Sequence, residues 1–218
     1  MEINPVAYFR SPVKEKFGLP RQAGLAPDLI GQIVLEPEFQ APEALRGLEG
    51  FEFIWLLWGF NLNRTTSHGA TVRPPRLGGN ERIGVFASRS PFRPNPIGLS
   101  SVRIEGIKDG VITVSGADLA DGSPIFDIKP YVPYTDSHPD AKDGFVHDRA
   151  WDSLEVIFPE NIGDRGLARQ DIAALREILE QDPRPQYHED SDRIYGLSFA
   201  GLNIRFTVSE GTLTVLPD

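Results

Sequence analysis

Arginines set among prolines and glycines are the most distinctive chemical feature of this 218-residue chain. Between residues 61 and 104 the sequence holds seven arginines and one acidic residue, a net charge of +6 in a chain of net charge −9. Guanidinium groups match carboxylates and phosphates, and flanking prolines hold a loop rigid before a ligand arrives. The pattern therefore indicates an anionic partner, or else pairing of these arginines with carboxylates at a barrel rim or dimer interface.

Two groups of carboxylates could also take part in binding or catalysis. Asp118 and Asp121 lie three residues apart beside Gly122, where they could accept ribose hydroxyls, although a solvated turn has the same pattern. Asp127 and Lys129 are two residues apart in a predicted strand, so they share one face. They could act in a site there or simply pair with each other.

Composition excludes several classes of protein. There is no cysteine, which rules out disulfides, thiolate nucleophiles, cysteine zinc sites and iron–sulfur clusters. The four histidines lack the spacing of metal ligands, so we expect no metal. The longest apolar run, residues 53–60, is far shorter than the roughly 20 residues that cross a bilayer. With no secretory signal visible, we expect a cytoplasmic protein without membrane contact.

Short apolar segments separated by turns must position these polar residues. The chain has 21 glycines and 19 prolines, and its strand-like segments follow one another without long helical periodicity, which favours an antiparallel barrel or sandwich. One short helix is predicted over residues 42–48. The predicted strands cover residues 6–9, 32–35, 53–60, 82–87, 100–105, 111–115 and 125–128.

The pattern changes after a polar, turn-rich stretch at residues 135–144. An amphipathic helix is predicted over residues 167–181, followed by strands at 194–199, 202–208 and 212–216. From residue 141 onward there are 15 acidic and eight basic residues, so this part is not expected to grip phosphates over most of its surface. We therefore predict a mainly β protein, with a small β-barrel domain at 1–138 and a smaller α+β domain at 139–218.

Three long motifs give the chain a specific family resemblance. KEKFGLPRQ (14–22), VRPPRLGGNERIGVFASRSPFRPNPIGLS (72–100) and LADGSPIFDIKPYVPY (119–134) occur in that order, and together they resemble the TsaA/TrmO family. Its members are S-adenosylmethionine-dependent methyltransferases that act on N6 of threonylcarbamoyl-adenosine beside the tRNA anticodon. The resemblance covers about residues 4–135 and implies a β-barrel, a homodimer, S-adenosylmethionine as cofactor and tRNA as partner.

The resemblance also implies roles for individual residues. Asp127 is the first candidate for the general base that removes a proton from N6, and Asp118 is the second. Where the family has a histidine and a polar residue this chain has Asn61-Leu62, so contacts there are expected mainly from the backbone. The implied cofactor contacts are Pro20, Arg21, Gln22, Asn61, Leu62, Arg89, Leu99, Asp118, Leu119, Ala120 and Asp121. The implied tRNA contacts are Arg73, Arg76, Arg93, Asn95, Lys129 and Tyr131.

Two other classes of function remain open at the level of sequence. The chain could be a β-barrel module that binds S-adenosylmethionine or RNA without catalysis. It could also be an interaction domain whose arginine-rich loops seal a dimer.

Overall fold

A closed six-stranded β-barrel forms the first half of the protein, as the strand-rich sequence predicts. The computed structural model describes residues 2–63, 69–74, 81–146, 153–184 and 192–217. The barrel strands run in the order β1-β2-β7-β6-β3-β8, and every adjacent pair is antiparallel. The strands of this half are β1 (Ala7–Arg10), β2 (Ile30–Leu35), β3 (Phe53–Gly59), β4 (Thr71–Val72), β5 (Ile83–Gly84), β6 (Ile97–Lys108), β7 (Val111–Ser115) and β8 (Pro124–Pro130).

Alternation along β3 fills the barrel interior. Ile54 and Leu56 are fully buried and Trp58 nearly so, because successive side chains of a strand point to opposite faces. The residues between them are only partly buried and face outward. The apolar run at residues 53–60 is thus a barrel strand with one face in the core, as its length predicted.

Opposite faces of β6 have different environments. Ser100 is buried on the inner face, whereas the neighbouring Leu99 is 56% exposed on the outer face. Leu57 of β3 is the register partner of both Leu99 and Asp127. These three residues therefore form one row on the outer wall, and two strand spacings, roughly 10 Å, separate its ends.

The predicted strand at residues 82–87 is mostly wrong. Only β5 is extended there, paired with β4 in a two-stranded ribbon, and the chain then enters a 3₁₀ turn at Val85–Ala87. The strand ends because β4 offers it only two partner residues. The predicted helix at 42–48 is a shorter helix, α1 (Pro42–Leu45), followed by a 3₁₀ turn at Leu48–Gly50.

A four-stranded sheet and one long helix make up the second half. The sheet order is β10-β11-β12-β9, in which β9 is parallel to β12 and the other pairs are antiparallel. The long helix matches the amphipathic pattern, and its Leu175, Ile178 and Leu179 are buried. The remaining elements are α2 (Pro133–Asp136), β9 (Glu155–Ile157), α3 (Arg169–Glu180), β10 (Tyr195–Phe199), β11 (Leu202–Ser209) and β12 (Thr212–Val215), with 3₁₀ turns at Pro37–Phe39, Gly144–Val146 and Ile162–Arg165.

The segment between β1 and β2, residues 11–29, does not belong to the barrel core. Its Val13, Ala26 and Leu29 are buried in the hydrophobic cluster formed by α3 and the second sheet. The backbone N–H of Ala200 also donates to the carbonyl of Pro12. We call residues 11–29 the shared segment, because it leaves the barrel to complete the core of the second half.

No helix in the described ranges is long and apolar enough to span a membrane.

Candidate functional site

The shared segment and the arginine-rich loop are joined by a hydrogen bond between Gln22 and Arg89. Arg89 donates from its guanidinium to Oε1 of Gln22 over 2.5 Å. The charge of Arg89 also acts on Asp118, which receives a hydrogen bond from the backbone N–H of Ala23. We call Gln22, Ala23, Arg89, Ser100 and Asp118 the Arg89–Asp118 cluster. Three of its members are predicted cofactor contacts: Gln22 and Arg89 belong to the first two motifs, and Asp118 directly precedes the third.

The inner face of β6 holds Asp118 in place. Ser100 Oγ donates to Oδ1 of Asp118 over 2.5 Å and accepts a hydrogen bond from Nε1 of Trp58 over 2.9 Å. Gly98 allows this arrangement, because a Cβ at that position would overlap the indole ring of Trp58. A chain of hydrogen bonds thus links the barrel core to a carboxylate at its edge.

Burial raises the pKa of Asp118 above its ordinary value. The hydrogen bonds from Ser100 and from backbone N–H groups oppose this rise, as does the positive charge of Arg89. The Asp118 carboxylate is partly buried. In such a position it has little contact with water, so charged and hydrogen-bonding partners must stabilise it. Such a group is suited to binding a cationic ligand group or accepting a proton.

Asn61 shapes the turn that follows Asp118. Its Nδ2 donates to the carbonyl of Asp121 over 3.0 Å, and its Oδ1 accepts from Oγ of Ser123 over 3.1 Å. Gly122 has the left-handed backbone (φ +75°) that the turn requires. Asp121 itself accepts the backbone N–H of Ser11. The turn is therefore held by Asn61 on one side and by the shared segment on the other.

Several of the predicted cofactor contacts have side chains that are buried or that face away from the cluster. Leu119 and Ala120 are buried, with 0% and 3% exposure, so their side chains belong to the protein interior. Pro20 is also buried, and Leu62 is half-buried. Leu99 lies on the outer wall, on the opposite face of β6 from Ser100, so its side chain does not join the Arg89–Asp118 cluster.

Arg21 faces away from this cluster. Its guanidinium donates to the carbonyl of Asp182, just beyond the end of α3, and its backbone N–H donates to Oε1 of Gln181. Adjacent residues of the motif therefore have different neighbours, since Arg21 contacts the second half of the chain while Gln22 contacts Arg89.

The two candidate bases lie on opposite sides of the barrel wall. Asp118 meets the inner face of β6, whereas Asp127 lies in the outer row with Leu57 and Leu99. Asp127 forms an ion pair with Lys129 over 2.7 Å, which confirms that they share a face. Because both side chains are substantially exposed, this pair adds little stability, about 0–1 kcal/mol.

The two described arginines of the predicted tRNA contacts differ in exposure and in hydrogen bonding. Arg73 is exposed, whereas Arg93 is partly buried and donates to the carbonyl of Ser88 over 3.0 Å. Arg93 thus closes its own loop. Asn95 is exposed, and its carbonyl accepts the N–H of Ile97. Arg76 lies outside the described residues.

Tyr131 belongs to an aromatic group on the outer wall. Its ring centroid lies 5.5 Å from that of Trp55 and 6.2 Å from that of Phe53. The indole N–H of Trp55 donates to Asp136, and Arg103 lies over the ring of Phe53. Trp55 is the register partner of Lys129, so this aromatic group lies next to the Asp127–Lys129 pair. It continues the outer row of Leu57, Leu99 and Asp127 toward the end of β8.

An open cavity of about 340 Å³ adjoins Asn61. Its walls are mostly apolar, and its volume falls in the range of small-molecule sites. Two predicted site residues, Asn61 and Asn95, contribute to it. The full lining is Ile3, Gly59, Phe60, Asn61, Asn95, Pro96, Ile97, Pro124 and Phe126.

Within the part of the chain that the structure describes, no three histidine, aspartate or glutamate side chains are grouped so that they could hold a metal ion. Three of the four histidines (His68, His147 and His188) lie outside the described residues.

Sequence reasoning missed Ser100, Trp58 and Gln181. The two barrel residues carry one usable signal, because strand parity places both on the inner face, where an indole and a hydroxyl need partners. Gln181 carries no such signal. Its role depends on a contact with a residue 160 positions away.

Comparison with known proteins agrees with the motif-based resemblance. The tRNA-methyltransferase O N-terminal domain family matches residues 8–137, and the TrmO C-terminal domain family matches residues 152–217. The tRNA (adenine(37)-N6)-methyltransferase of Escherichia coli is 39% identical over 225 residues, which cover 98% of this chain and 96% of that protein.

Two further similarities extend over nearly the whole chain. A Pseudomonas aeruginosa protein whose name describes an S-adenosylmethionine-dependent methyltransferase, RcsF, is 43% identical over 213 residues, 94% of this chain and 91% of that one. The crystal structure of TrmO from Pseudomonas aeruginosa superposes with a TM-score of 0.82 at 35% identity, over 99% of this chain and 95% of that one. With both of its halves matched, the chain belongs to the tRNA-methyltransferase O family.

Proposed function

We propose that this protein transfers a methyl group from S-adenosylmethionine to N6 of adenine 37 in tRNA, and that the acceptor base is threonylcarbamoyl-adenosine. The observation that carries the proposal is family membership over both halves of the chain, with a relative named for this adenine methylation. The Arg89–Asp118 cluster supports it, because residues from two separate motifs and the residue that precedes the third come together there.

The cluster fits the charged end of S-adenosylmethionine. That end carries a carboxylate and an ammonium group, and the cluster contains a cation, Arg89, and an anion, Asp118, that could complement them. Asp121 and the backbone of residues 119–120 would serve the ribose and the base. When bound, the cofactor supplies an electrophilic methyl group on its sulfonium.

We assign binding and proton removal to different carboxylates. Asp118 is assigned to cofactor binding, because it shares a cluster with Gln22 and Arg89. Asp127 then remains the candidate general base, oriented by Lys129 and by the N–H of Ile128, which donates to its Oδ1 over 2.9 Å. Loss of the Asp127 carboxylate should lower kcat at saturating cofactor, whereas loss of the Asp118 carboxylate should first raise the KM for S-adenosylmethionine.

The tRNA would lie along exposed cations and aromatic rings. Arg73 is exposed and would contact a phosphate, and Tyr131 with Trp55 would offer rings on which an unpaired base could stack. The cavity beside Asn61 and Asn95 is large enough to receive a base. Arg93 contributes by fixing its loop, and the family resemblance adds Arg76 to the phosphate contacts.

The deciding experiment compares two tRNA substrates. Protein and labelled S-adenosylmethionine are incubated with tRNA that bears threonylcarbamoyl-adenosine and with the same tRNA carrying unmodified adenosine. We expect a mass increase of one methylene group on the modified base only. Transfer to unmodified adenosine would refute the acceptor assignment, and no transfer to either, under conditions where the Escherichia coli relative is active, would refute the enzymatic function.

One observation favours a competing function. Asp118 and Asp127 lie on opposite faces of the barrel wall, so within a single chain the cofactor-binding carboxylate and the candidate base are on different sides. A barrel that binds S-adenosylmethionine or RNA without catalysis needs no base beside the cofactor. Cofactor binding in calorimetry, without any change in the mass of the tRNA base, would establish that function.

We further propose a homodimer and a cytoplasmic location. Ile97 and Leu99 expose 38% and 56% of their surface on the outer wall, although apolar side chains are more stable when covered. Sedimentation equilibrium should give twice the chain mass, and a charged Leu99→Glu substitution should reduce it to the monomer. A dimer that persists in this variant would place the contact elsewhere.

A further inference from the structure

The shared segment connects the Arg89–Asp118 cluster to the second half of the chain. Its apolar side chains Val13, Ala26 and Leu29 are at most 2% exposed within the core built by α3 and the second sheet. Gly18 packs directly against Leu197 of β10. The segment that carries the predicted cofactor residues 20–22 is therefore anchored outside the barrel.

Gln181, the residue after α3, forms hydrogen bonds with the backbone beside residues 20–22. Its Oε1 accepts the backbone N–H of Arg21 over 3.3 Å, and its Nε2 donates to the carbonyl of Leu25 over 3.3 Å. The same amide donates to the carbonyl of Glu177 over 2.9 Å. One side chain thus ties the helix end to the backbone on both sides of Gln22.

The charge and backbone at this helix end add to the contact. Arg21 donates its guanidinium to the carbonyl of Asp182, where the negative end of the helix dipole favours a cation. Asp182 has a left-handed backbone (φ +47°), and Arg184 holds its carboxylate with two hydrogen bonds of 2.8 and 2.9 Å. The acceptor for Arg21 is therefore rigid.

The next two residues of the chain face the candidate site. Gln22 accepts from Arg89, and the backbone N–H of Ala23 donates to Asp118. A shift at Arg21 is expected to move Gln22 and Ala23, because they follow it directly in the chain. One loop, residues 20–23, therefore contacts the end of α3 on one side and the Arg89–Asp118 cluster on the other.

We propose that Gln181 is a positioning residue for the methyl donor, and that the second half of the chain serves to hold residues 20–23 in the binding conformation. This inference rests on the proposed function, which places the donor at the Arg89–Asp118 cluster. It gives the C-terminal half a role in cofactor binding that does not require contact with RNA.

The test measures cofactor affinity in full-length Gln181→Ala. Calorimetric titration with S-adenosylhomocysteine should show a Kd raised about fivefold, as expected when two hydrogen bonds to a loop are lost. In methyl transfer the KM for S-adenosylmethionine should rise while kcat and the KM for tRNA stay within about twofold, because the loop is displaced but the barrel is intact.

Matched variants separate positioning from general damage. Gln170→Ala, at the exposed start of the same helix, should leave the Kd unchanged. Gln181→Glu keeps the oxygen that accepts the Arg21 N–H but replaces the donor with a second oxygen and adds a negative charge, so its Kd should lie between those of the parent and Gln181→Ala. A melting temperature close to that of the parent should accompany both Gln181 variants.

The outcomes also distinguish this inference from the proposed function. If Gln22→Ala weakens cofactor binding but Gln181→Ala does not, the positioning role is refuted and the site stands. If neither Gln22→Ala nor Arg89→Ala changes the Kd, the site itself is misplaced and the positioning role fails with it. A Gln181→Ala protein that loses stability and raises both KM values equally would show a structural role only.

Discussion

Ser100 donates a hydrogen bond to Asp118 over 2.5 Å from the inner face of the barrel. The same hydroxyl accepts from the indole of Trp58, so a single oxygen serves one group of the core and one group of the site. Packing inside the barrel and the orientation of a site carboxylate are therefore directly coupled.

Replacing Ser100 with alanine should affect both stability and cofactor binding. The buried Trp58 N–H would lose its acceptor, which costs about 1–3 kcal/mol in the free energy of unfolding. Asp118 would lose a hydrogen bond that fixes its orientation, so the Kd for S-adenosylhomocysteine should rise. Denaturant unfolding and calorimetry give the two values, and Ser101→Ala, on the outer face of the same strand, should change neither. Unchanged binding in Ser100→Ala would show that Asp118 does not depend on this bond.

The raised pKa of Asp118 predicts a pH-dependent gain in stability for Asp118→Asn. Because burial favours the neutral acid, the stability that this group provides is fully present below its ordinary pKa of 3.8 and is lost as pH rises through the higher folded pKa. Asparagine is neutral throughout and still accepts from Ser100. The free energy of unfolding of the variant, minus that of the parent, should therefore increase from pH 4 to pH 7 in urea titrations. A constant difference would contradict the raised pKa.

Gly98→Ala should disturb the site through the barrel core. Its added methyl group would overlap the ring of Trp58. The displaced ring would then disturb the hydrogen bond from the Trp58 indole to Ser100. Overpacking of this kind costs about 1–3 kcal/mol in the free energy of unfolding, and cofactor affinity should fall with it. Gly106→Ala is the control, because it lies in the same strand with no atom within 4 Å of its added Cβ. Equal behaviour of the two variants would exclude a steric effect at Trp58.

Arg73 and Arg93 should differ in how their loss affects RNA binding. Arg73→Ala should weaken tRNA binding and reduce the slope of log K against log salt by about 1, with the melting temperature unchanged, since an exposed arginine is free to contact a phosphate. Arg93→Ala removes the bond to the carbonyl of Ser88, so it should also lower the melting temperature. A salt slope that Arg73→Ala leaves unaltered would exclude a phosphate contact at this residue.

Local patterns in the sequence were sufficient for most of the strands and for α3. The length of the apolar run at residues 53–60 predicted β3, and the spacing of Leu175, Ile178 and Leu179 predicted the helix, because that period reflects one buried face. The strand predicted at 82–87 failed because its extent depends on a partner strand, β4, that is only two residues long.

The composition of the site was predictable from its motifs, but its geometry was not. Gln22 and Arg89 came from separate motifs and Asp118 directly precedes a third, and the structure brings them together. The sequence could not show that Arg21 points to the other half of the chain, or that Arg93 closes its own loop. These orientations depend on the backbone carbonyl groups of Asp182 and Ser88. Every residue has such a group, so the sequence gives no indication of which one accepts a hydrogen bond.

The shared segment also constrains the order in which the protein can fold. Its contacts with Gln181 join residues 160 positions apart, and such non-local contacts form late because they require closure of a long loop. During synthesis the barrel strands are complete before α3 leaves the ribosome, yet residues 11–29 still lack their core. The nascent chain would therefore acquire a barrel first and a competent cofactor loop only after its C-terminal half has folded.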